Sequence, residues 1–363
     1  MIVSVFNNKG GVGKTTLLFH LACALAEQDK KVLMMDLDPQ CSLTLNAIPE
    51  EAIEKLWAEE EPYIEDYRAS KNAHPFIHDE LMKKGRSIHF ILKPLEDGLE
   101  GEITATPYHT LMSNLDIIPG RLSMQFFESF VAHRWSEAFT GSPHAIQSIA
   151  SVRRVAEFYQ KKYGYDFVLM DTSPSLGDLN RITIGLSDYF FIPCSTDVFS
   201  IYGIRNIGAA LEKWRAEFKA LSYLLPKSRK EFFAKTMVKL LGYTLYKAQK
   251  SGSSRNGLGI PQSHYLHATK IPGEIKRCIG PDFLADGTDI CKNLGGRSII
   301  YSHCSLPSGS QQCHVPMWRV PSMPNVVTKT TQGFRETQEM YHEFASDFLS
   351  RVKKAKKMAT LNV

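Results

Sequence analysis

A glycine-rich run between two differently patterned segments constrains this chain more than any other feature. Residues 2–6 are β-type and apolar, residues 7–13 read NNKGGVG, and residues 15–27 repeat apolar side chains at helical spacing. Residues 31–35 are then apolar on both faces, as a buried parallel strand is. These segments predict a β-loop-α-β unit, the building block of a doubly wound, mostly parallel α/β sheet.

The glycine run has the chemistry of a phosphate site. Residues 8–15, NKGGVGKT, fit the end of the P-loop pattern, with Asn8 where the first glycine usually stands. Glycines let phosphate oxygens approach backbone N–H groups, and the following helix directs its positive dipole end at them. Lys14 is placed to neutralise the β and γ oxygens, and the Thr15 hydroxyl to ligate Mg²⁺. The predicted nucleotide-binding residues are Gly10, Gly11, Val12, Gly13, Lys14, Thr15 and Thr16.

A second lysine, Lys9, stands ahead of the glycines and distinguishes this loop from ordinary P-loops. The run KGGVGKT at residues 9–15 resembles the ParA/MinD family of P-loop ATPases (deviant Walker A, SIMIBI class), in its ParA/Soj-like branch. The resemblance implies ATP and Mg²⁺ as cofactors, and a homodimer whose subunits sandwich two ATP molecules. It assigns catalytic roles to Lys9, which would reach the partner's nucleotide as an arginine finger does, and to Lys14.

Two acidic motifs in the same order extend the resemblance. Residues 36–40, DLDPQ, look like the family's DxDPQ box, and residues 167–171, FVLMD, form an apolar strand that ends in a carboxylate. By resemblance, Asp36 organises Mg²⁺ through water and Asp38 orients the attacking water. Asp171 should hold a water of the Mg²⁺ shell. Thr15, Asp36 and Asp171 are therefore the predicted metal residues, and Asp38 is the third predicted catalytic residue.

The loop after the second motif resembles the family's γ-phosphate sensor. Residues 172–177 read TSPSLG, close to the last part of the family's DxPPSLG. Pro174 and Gly177 are carried over as nucleotide-binding positions. Ser173 replaces the usual first proline, so we expect a looser loop here.

The resemblance covers only part of the chain. Residues 1–46 and 114–215 match well, whereas residues 47–112 and 225–330 depart from the pattern. We expect a single P-loop ATPase domain over residues 1–363, with insertions at about 47–112 and 225–330 and a final helix at about 332–357. Residues 46–112 look polar and irregular, with short helices near residues 51–60 and 78–84.

Charge is unevenly distributed along the chain. Residues 46–115 hold 14 acidic and 7 basic side chains, a net of −7, and residues 213–277 hold 14 basic and 3 acidic, a net of +11. The basic segment fits a polyanion-binding face or a solvated surface that folding redistributes. The final helix also ends in basic residues, which favourable dipole interaction alone explains. Non-specific DNA binding is an alternative, and so is a membrane-surface helix with Phe344, Phe348 and Leu349 facing lipid.

The sequence features together predict a cytoplasmic enzyme. No apolar stretch approaches the roughly 18–20 residues that span a bilayer, and seven cysteines without tight CxxC spacing suit reduced thiols. The resemblance implies a dimerising ATPase that converts ATP to ADP and phosphate. As a nucleotide switch, it would act in DNA or plasmid partition with a partner that stimulates hydrolysis. A regulatory subunit of a mobile-element or antiviral assembly, and a MinD-like membrane ATPase, stay open as alternatives.

Overall fold

Strands from both ends of the chain join in one sheet. The structure, a computed structural model, describes residues 1–99, 106–225, 237–252, 254–285, 299–303, 305–324 and 332–361, together with 289, 292 and 294. Within these ranges the strands are β1 (Ile2–Val5), β2 (Val32–Asp36), β3 (His109–Met112), β4 (Leu115–Ile118), β5 (Phe167–Asp171), β6 (Tyr189–Cys194), β7 (Lys239–Ala248) and β8 (Ile299–Tyr301). Their order is β3-β4-β2-β5-β1-β6-β7-β8, with all neighbours parallel except β3 and β4.

Helices cover both faces of the sheet. They are α1 (Lys14–Glu27), α2 (Ser42–Ala47), α3 (Glu50–Glu65), α4 (Tyr67–Ala73), α5 (Pro75–Leu81), α6 (Ile88–Glu96), α7 (Met124–Ala138), α8 (Pro143–Tyr163), α9 (Asp178–Gly185), α10 (Val198–Leu224), α11 (Gln262–Ala268), α12 (Ile271–Cys278), α13 (Leu306–Cys313) and α14 (Gln332–Leu361). Successive side chains of a strand enter opposite cores, as Phe190 and Phe191 do. The predicted doubly wound α/β P-loop NTPase fold is confirmed.

Residues 46–112 are more ordered than the sequence predicts. Helices α3 to α6 fill most of this segment, and β3 closes it as an antiparallel edge strand. The helix predicted near residues 51–60 is α3, and the one predicted near residues 78–84 lies earlier, as α5. Helix α3 is rich in acidic residues, whereas α6 buries apolar side chains such as Ile91 and Leu92 in the main core. The helices also share a small core of their own, in which the Tyr63, Tyr67 and Phe90 rings pack edge to face.

The last helix packs into the core along its apolar side. It runs to Leu361, four residues past the predicted end at 357. Phe344 and Phe348 are fully buried, and both rings pack against Phe191 of β6. Their burial removes the apolar face that a membrane-surface helix would need. Among the described residues, none of the helices combines the length and the apolar character needed to cross a membrane.

Candidate nucleotide-binding site

The glycine loop leaves the carboxyl end of β1, in the middle of the sheet. Gly13 has φ of +80°, the left-handed region that glycine enters without strain. A Cβ on Gly13 would also lie 2.2 Å from Cε1 of Tyr246, which is far too close for two carbon atoms. Gly13 is therefore required twice, for its backbone conformation and for the approach of β7 to the loop.

Lys14 and Thr15 open helix α1 directly below the loop. Lys14 is buried, and its Nζ donates to the carbonyl of Asn7 at 3.1 Å. Burial lowers the pKa of Lys14, while the carboxylates of Asp171 and Asp38 act in the opposite direction. The Thr15 hydroxyl donates to Oδ2 of Asp171 at 2.7 Å. The two motifs, 156 residues apart in sequence, thus meet at one point.

Asp171 has room for one more partner. Its Oδ1 is buried and has no hydrogen-bond partner among the described residues. Burial, reinforced by the nearby Asp36 carboxylate, raises the pKa of Asp171. A buried carboxylate oxygen without a partner is costly in a protein. A water of a bound Mg²⁺ would satisfy it, so the residues here fit the predicted cation.

Asp36 makes its contacts with protein groups. Its Oδ2 accepts from the backbone N–H of Thr44 at 2.8 Å and from the Thr44 hydroxyl at 2.6 Å. The Thr44 hydroxyl in turn accepts from the N–H of Gly120 at 2.7 Å. Asp36 and Thr44 therefore tie α2 to the end of β4. The sequence did not single out Thr44, which lies four residues after the acidic motif at residues 36–40.

Asp38 lies at the turn that leads from β2 into α2. Its N–H donates to Oδ1 of Asp36 at 3.2 Å, and its own Oδ1 accepts from the N–H of Gln40 at 2.9 Å. These bonds hold the turn in one geometry while the Asp38 carboxylate borders the pocket described below.

The loop at residues 172–177 is braced from the next helix. Asn180 of α9 donates through Nδ2 to the carbonyls of Ser173, at 2.9 Å, and Ser175, at 2.7 Å. The two serine hydroxyls lie 2.9 Å apart. Ser173 thus joins a hydrogen-bond network, and the expectation of a looser loop does not hold in this structure. The network keeps Pro174 at the edge of the pocket.

Lys9 points to a partner within its own subunit. Its ammonium forms an ion pair with Asp197 and lies 5.6 Å from the ring centroid of Phe199. Asp197 also caps α10, because its Oδ1 accepts from the N–H of Ser200 at 3.2 Å. Lys9 does not border the pocket. Its reach into a second subunit stays a prediction.

The elements above enclose a pocket of about 410 Å³, within the range of small-molecule sites. Of the predicted residues, it is bordered by Gly10, Gly11, Gly13, Lys14, Thr15, Thr16, Asp38 and Pro174, whereas Lys9, Val12, Asp36, Asp171 and Gly177 lie outside its lining. The lining residues that the sequence did not identify are Gln40, Ser42, Leu45, Asn46, Lys247 and Gln311. Gln40 is the last residue of the acidic motif at residues 36–40, and Ser42, Leu45 and Asn46 follow it closely, so proximity could have suggested these four. Lys247 lies in the basic segment 213–277 but was not distinguished from its other lysines, and Gln311 had no sequence signal.

Comparison with known proteins agrees with this geometry. The family model AAA_31, described as an AAA domain, matches residues 1–221. An uncharacterised protein, MJECL24 of Methanocaldococcus jannaschii, is 26% identical over 236 residues, covering 64% of this chain and 74% of that protein. The chromosome-partitioning ATPase Soj of Thermus thermophilus is 25% identical over 214 residues, covering 59% and 62%.

Solved structures share the fold over nearly the whole chain. The pNOB8 ParA structure superposes with a TM-score of 0.58 at 19% identity, covering 97% of this chain and 98% of that one. A second structure of the same protein, bound to non-specific DNA, gives a TM-score of 0.51 at 20% identity, covering 97% and 98%. The chain spans about half to two thirds of the length of most curated relatives that it matches.

Proposed function

Because the chain belongs to the AAA_31 family and is a ParA/MinD-like P-loop protein, we propose that it is a Mg²⁺-dependent ATPase that dimerises on ATP and acts as a nucleotide switch. Its role would lie in DNA or plasmid partition or positioning, with a protein partner that stimulates hydrolysis. We propose further that residues 1–363 act as one ATPase unit in the cytoplasm.

The contact between Thr15 and Asp171 carries the proposal. It joins the P-loop hydroxyl to a buried carboxylate, one oxygen of which has no partner in the described part of the chain. Bound Mg²⁺ would neutralise charge on the transferred phosphate. Thr15 would ligate it, and Asp171 and Asp36 would act in its surroundings. Lys14 would bind the β and γ oxygens, and Asp38 would orient a water for attack.

Two loops that line the pocket support the proposed nucleotide switch. The turn at Asp38 and the loop at Pro174 both line the pocket, so a γ-phosphate would contact both and its loss would release both. Lys9 would then exchange its intrasubunit partner, Asp197, for the nucleotide of a second subunit. Gly177, at the end of the same loop, would act as its hinge.

DNA is the proposed ligand of the dimer. Lys353, Lys354, Lys356 and Lys357 are exposed along α14, whereas Arg351 is buried and paired with Asp347. In the segment 213–277, Arg215 and Arg277 are paired with acidic side chains, which reduces the free charge. The basic group at residues 227–230 lies outside the described residues. The exposed lysines of α14 are therefore the best candidates for phosphate contact.

A regulatory subunit of a larger assembly is the second candidate function. Helix α5 exposes two large apolar side chains, Phe76 at 77% and Ile77 at 52%. Exposed neighbouring apolar residues on a helix with its own small core suit a protein-binding insertion. In that case the lone chain would dimerise with ATP and show no affinity for DNA.

Light scattering with and without nucleotide tests both candidates. We would measure molecular mass with ATP, ADP and no nucleotide, for the wild type and Asp38→Ala, each with and without duplex DNA. The proposal expects Asp38→Ala to become a stable dimer with ATP and to take up DNA. A dimer that ignores DNA favours the regulatory subunit. A mass that never responds to nucleotide contradicts the switch.

A further inference from the structure

Lys247 has an unusual backbone at the edge of the nucleotide pocket. Its φ is +58°, in the left-handed region where a residue with a Cβ is strained. It lies at the end of β7, where Tyr246 pairs with Ile300 and Ala248 pairs with Tyr301, so Lys247 is the extra residue of a β-bulge. Glycine is the usual residue at a left-handed bulge position.

The bulge turns the lysine toward the phosphate loop. Cε of Lys247 lies 3.3 Å from the position that a Cβ on Gly13 would occupy, and Lys247 borders the pocket. The described residues offer its ammonium no carboxylate partner within ion-pair distance. Bulges next to functional sites commonly redirect one side chain, and strain that persists there points to a functional requirement.

The order of the sheet decides which part of a nucleotide this lysine can reach. Asp171 and Asp38 follow β5 and β2, which lie on one side of β1, whereas β7 lies on the other side, beyond β6. The metal and γ-phosphate would therefore be on the β5 side of the loop. The ammonium of Lys247, a residue at the end of β7, would lie near the opposite end of the phosphate chain, at the α-phosphate.

We propose that Lys247 is a nucleotide-binding residue that contacts the α-phosphate end of the bound nucleotide. The inference rests on the proposed function and extends it, because Lys247 lies outside the segment 1–221 that the family model matches. The α-phosphate is common to ATP and ADP, so Lys247 binds both alike. The contact with phosphate offsets the strain of the Lys247 backbone, which a glycine at this position would avoid.

Two substitutions separate the charge from the strain. Lys247→Met removes the charge and keeps the strained backbone, whereas Lys247→Gly removes both. We expect each variant to weaken binding of ADP and of a non-hydrolysable ATP analogue by about tenfold, measured by calorimetry. In the absence of nucleotide, Lys247→Gly should unfold at a higher temperature than the wild type, because glycine adopts positive φ freely.

Lys250→Met is the matched control. Lys250 lies at the same strand end, and its ammonium is over the Tyr301 ring, 4.9 Å from the centroid. The Lys250→Met substitution removes one positive charge at a residue that does not line the pocket. The nucleotide affinity of this variant should therefore equal that of the wild type. If Lys250→Met and Lys247→Met lose nucleotide affinity equally, the cause is the change in net charge, and the proposed contact of Lys247 with the nucleotide is contradicted.

Three outcomes contradict the inference. Unchanged affinity in folded Lys247→Met means that the lysine does not touch the nucleotide. If Lys247→Met binds the ATP analogue more weakly but binds ADP as the wild type does, the lysine contacts the γ-phosphate. The proposed contact with the α-phosphate is then wrong. If the wild type binds no nucleotide, the proposed function fails as well. If it binds and Lys14→Ala abolishes binding while Lys247→Met has no effect, the inference about Lys247 fails alone.

Discussion

Lys9 and Asp197 form an ion pair that joins the phosphate loop to the N-cap of α10. Both side chains are partly exposed, at 27% and 38%, so the pair contributes at most about 1 kcal/mol. An interaction of this size holds Lys9 in its own subunit yet can be exchanged for a stronger contact with phosphate.

Asp197→Asn should release Lys9 while keeping the cap, since an asparagine oxygen can still accept from the N–H of Ser200. We expect the ATP-bound dimer to form up to about fivefold more tightly, measured by sedimentation. Asp282→Asn, which breaks the exposed pair with Arg215, is the control. A weaker dimer in Asp197→Asn would mean that Asp197 itself contacts the second subunit.

Removing the Thr15 hydroxyl should weaken the metal site. Thr15→Ala deletes the proposed Mg²⁺ ligand and leaves both oxygens of Asp171 without a hydrogen-bond partner from the residues that the structure describes. We expect the Mg²⁺ concentration needed for half-maximal ATP hydrolysis to rise about 10–100-fold, and EDTA to abolish hydrolysis by the wild type. Thr15→Ser keeps the hydroxyl and should resemble the wild type. Coinciding Mg²⁺ titrations of Thr15→Ala and the wild type would contradict the assignment.

Gly13→Ala and Gly10→Ala should differ in stability although they are three residues apart. A Cβ on Gly13 would lie 2.2 Å from the Tyr246 ring, and Gly13 has a positive φ, whereas a Cβ on Gly10 would have no atom of the described ranges within 4 Å. We expect Gly13→Ala to lower the free energy of unfolding by about 2–5 kcal/mol and Gly10→Ala to leave it nearly unchanged. Urea denaturation without nucleotide measures both. Equal urea midpoints for Gly13→Ala and Gly10→Ala would contradict the close contact between Tyr246 of β7 and the glycine loop.

Glu27 should make stability fall on acidification. It accepts from Trp318 Nε1 at 3.1 Å, from Arg319 Nε at 2.8 Å, and its Oε2 lies 2.7 Å from His342 Nε2. Burial alone would raise the pKa of Glu27, but these hydrogen bonds and the Arg319 charge outweigh it and lower the pKa.

A lowered folded-state pKa means that Glu27 contributes stability above its unfolded pKa, near 4.3, and that this contribution disappears as the pH falls through the folded value. Glu27→Gln should lower the free energy of unfolding at pH 7 by about 1–3 kcal/mol. Between pH 6 and pH 3 its stability should decline less than that of the wild type. Parallel declines in urea denaturation would contradict this account.

The lysines of α14 should carry part of any DNA affinity. For Lys353→Glu with Lys354→Glu we expect weaker, sequence-independent binding of the ATP-bound protein to duplex DNA. The slope of log affinity against log salt should decrease by about 2. Lys55→Glu with Lys71→Glu, at exposed positions of α3 and α4, changes the net charge equally and is the control. Equal losses in both double variants would make the effect one of overall charge.

The local sequence determined the central β-loop-α-β unit and the positions of the acidic strand ends. β1, β2 and β5 are short runs that are apolar on both faces, and such runs indicate buried parallel strands without reference to the rest of the chain. The P-loop is likewise contiguous, because its backbone must wrap one phosphate chain. These features were predicted to within one or two residues.

Only the tertiary structure decided the remaining contacts of the site. Asp197 meets Lys9 across 188 residues, Tyr246 packs on Gly13, and Lys247 and Gln311 enter the pocket from beyond the family-matched segment. Such contacts depend on the order of strands in the sheet and on one bulge in β7. Neither the strand order nor the bulge produces a periodic pattern in the sequence, because both depend on the packing of elements that are distant along the chain.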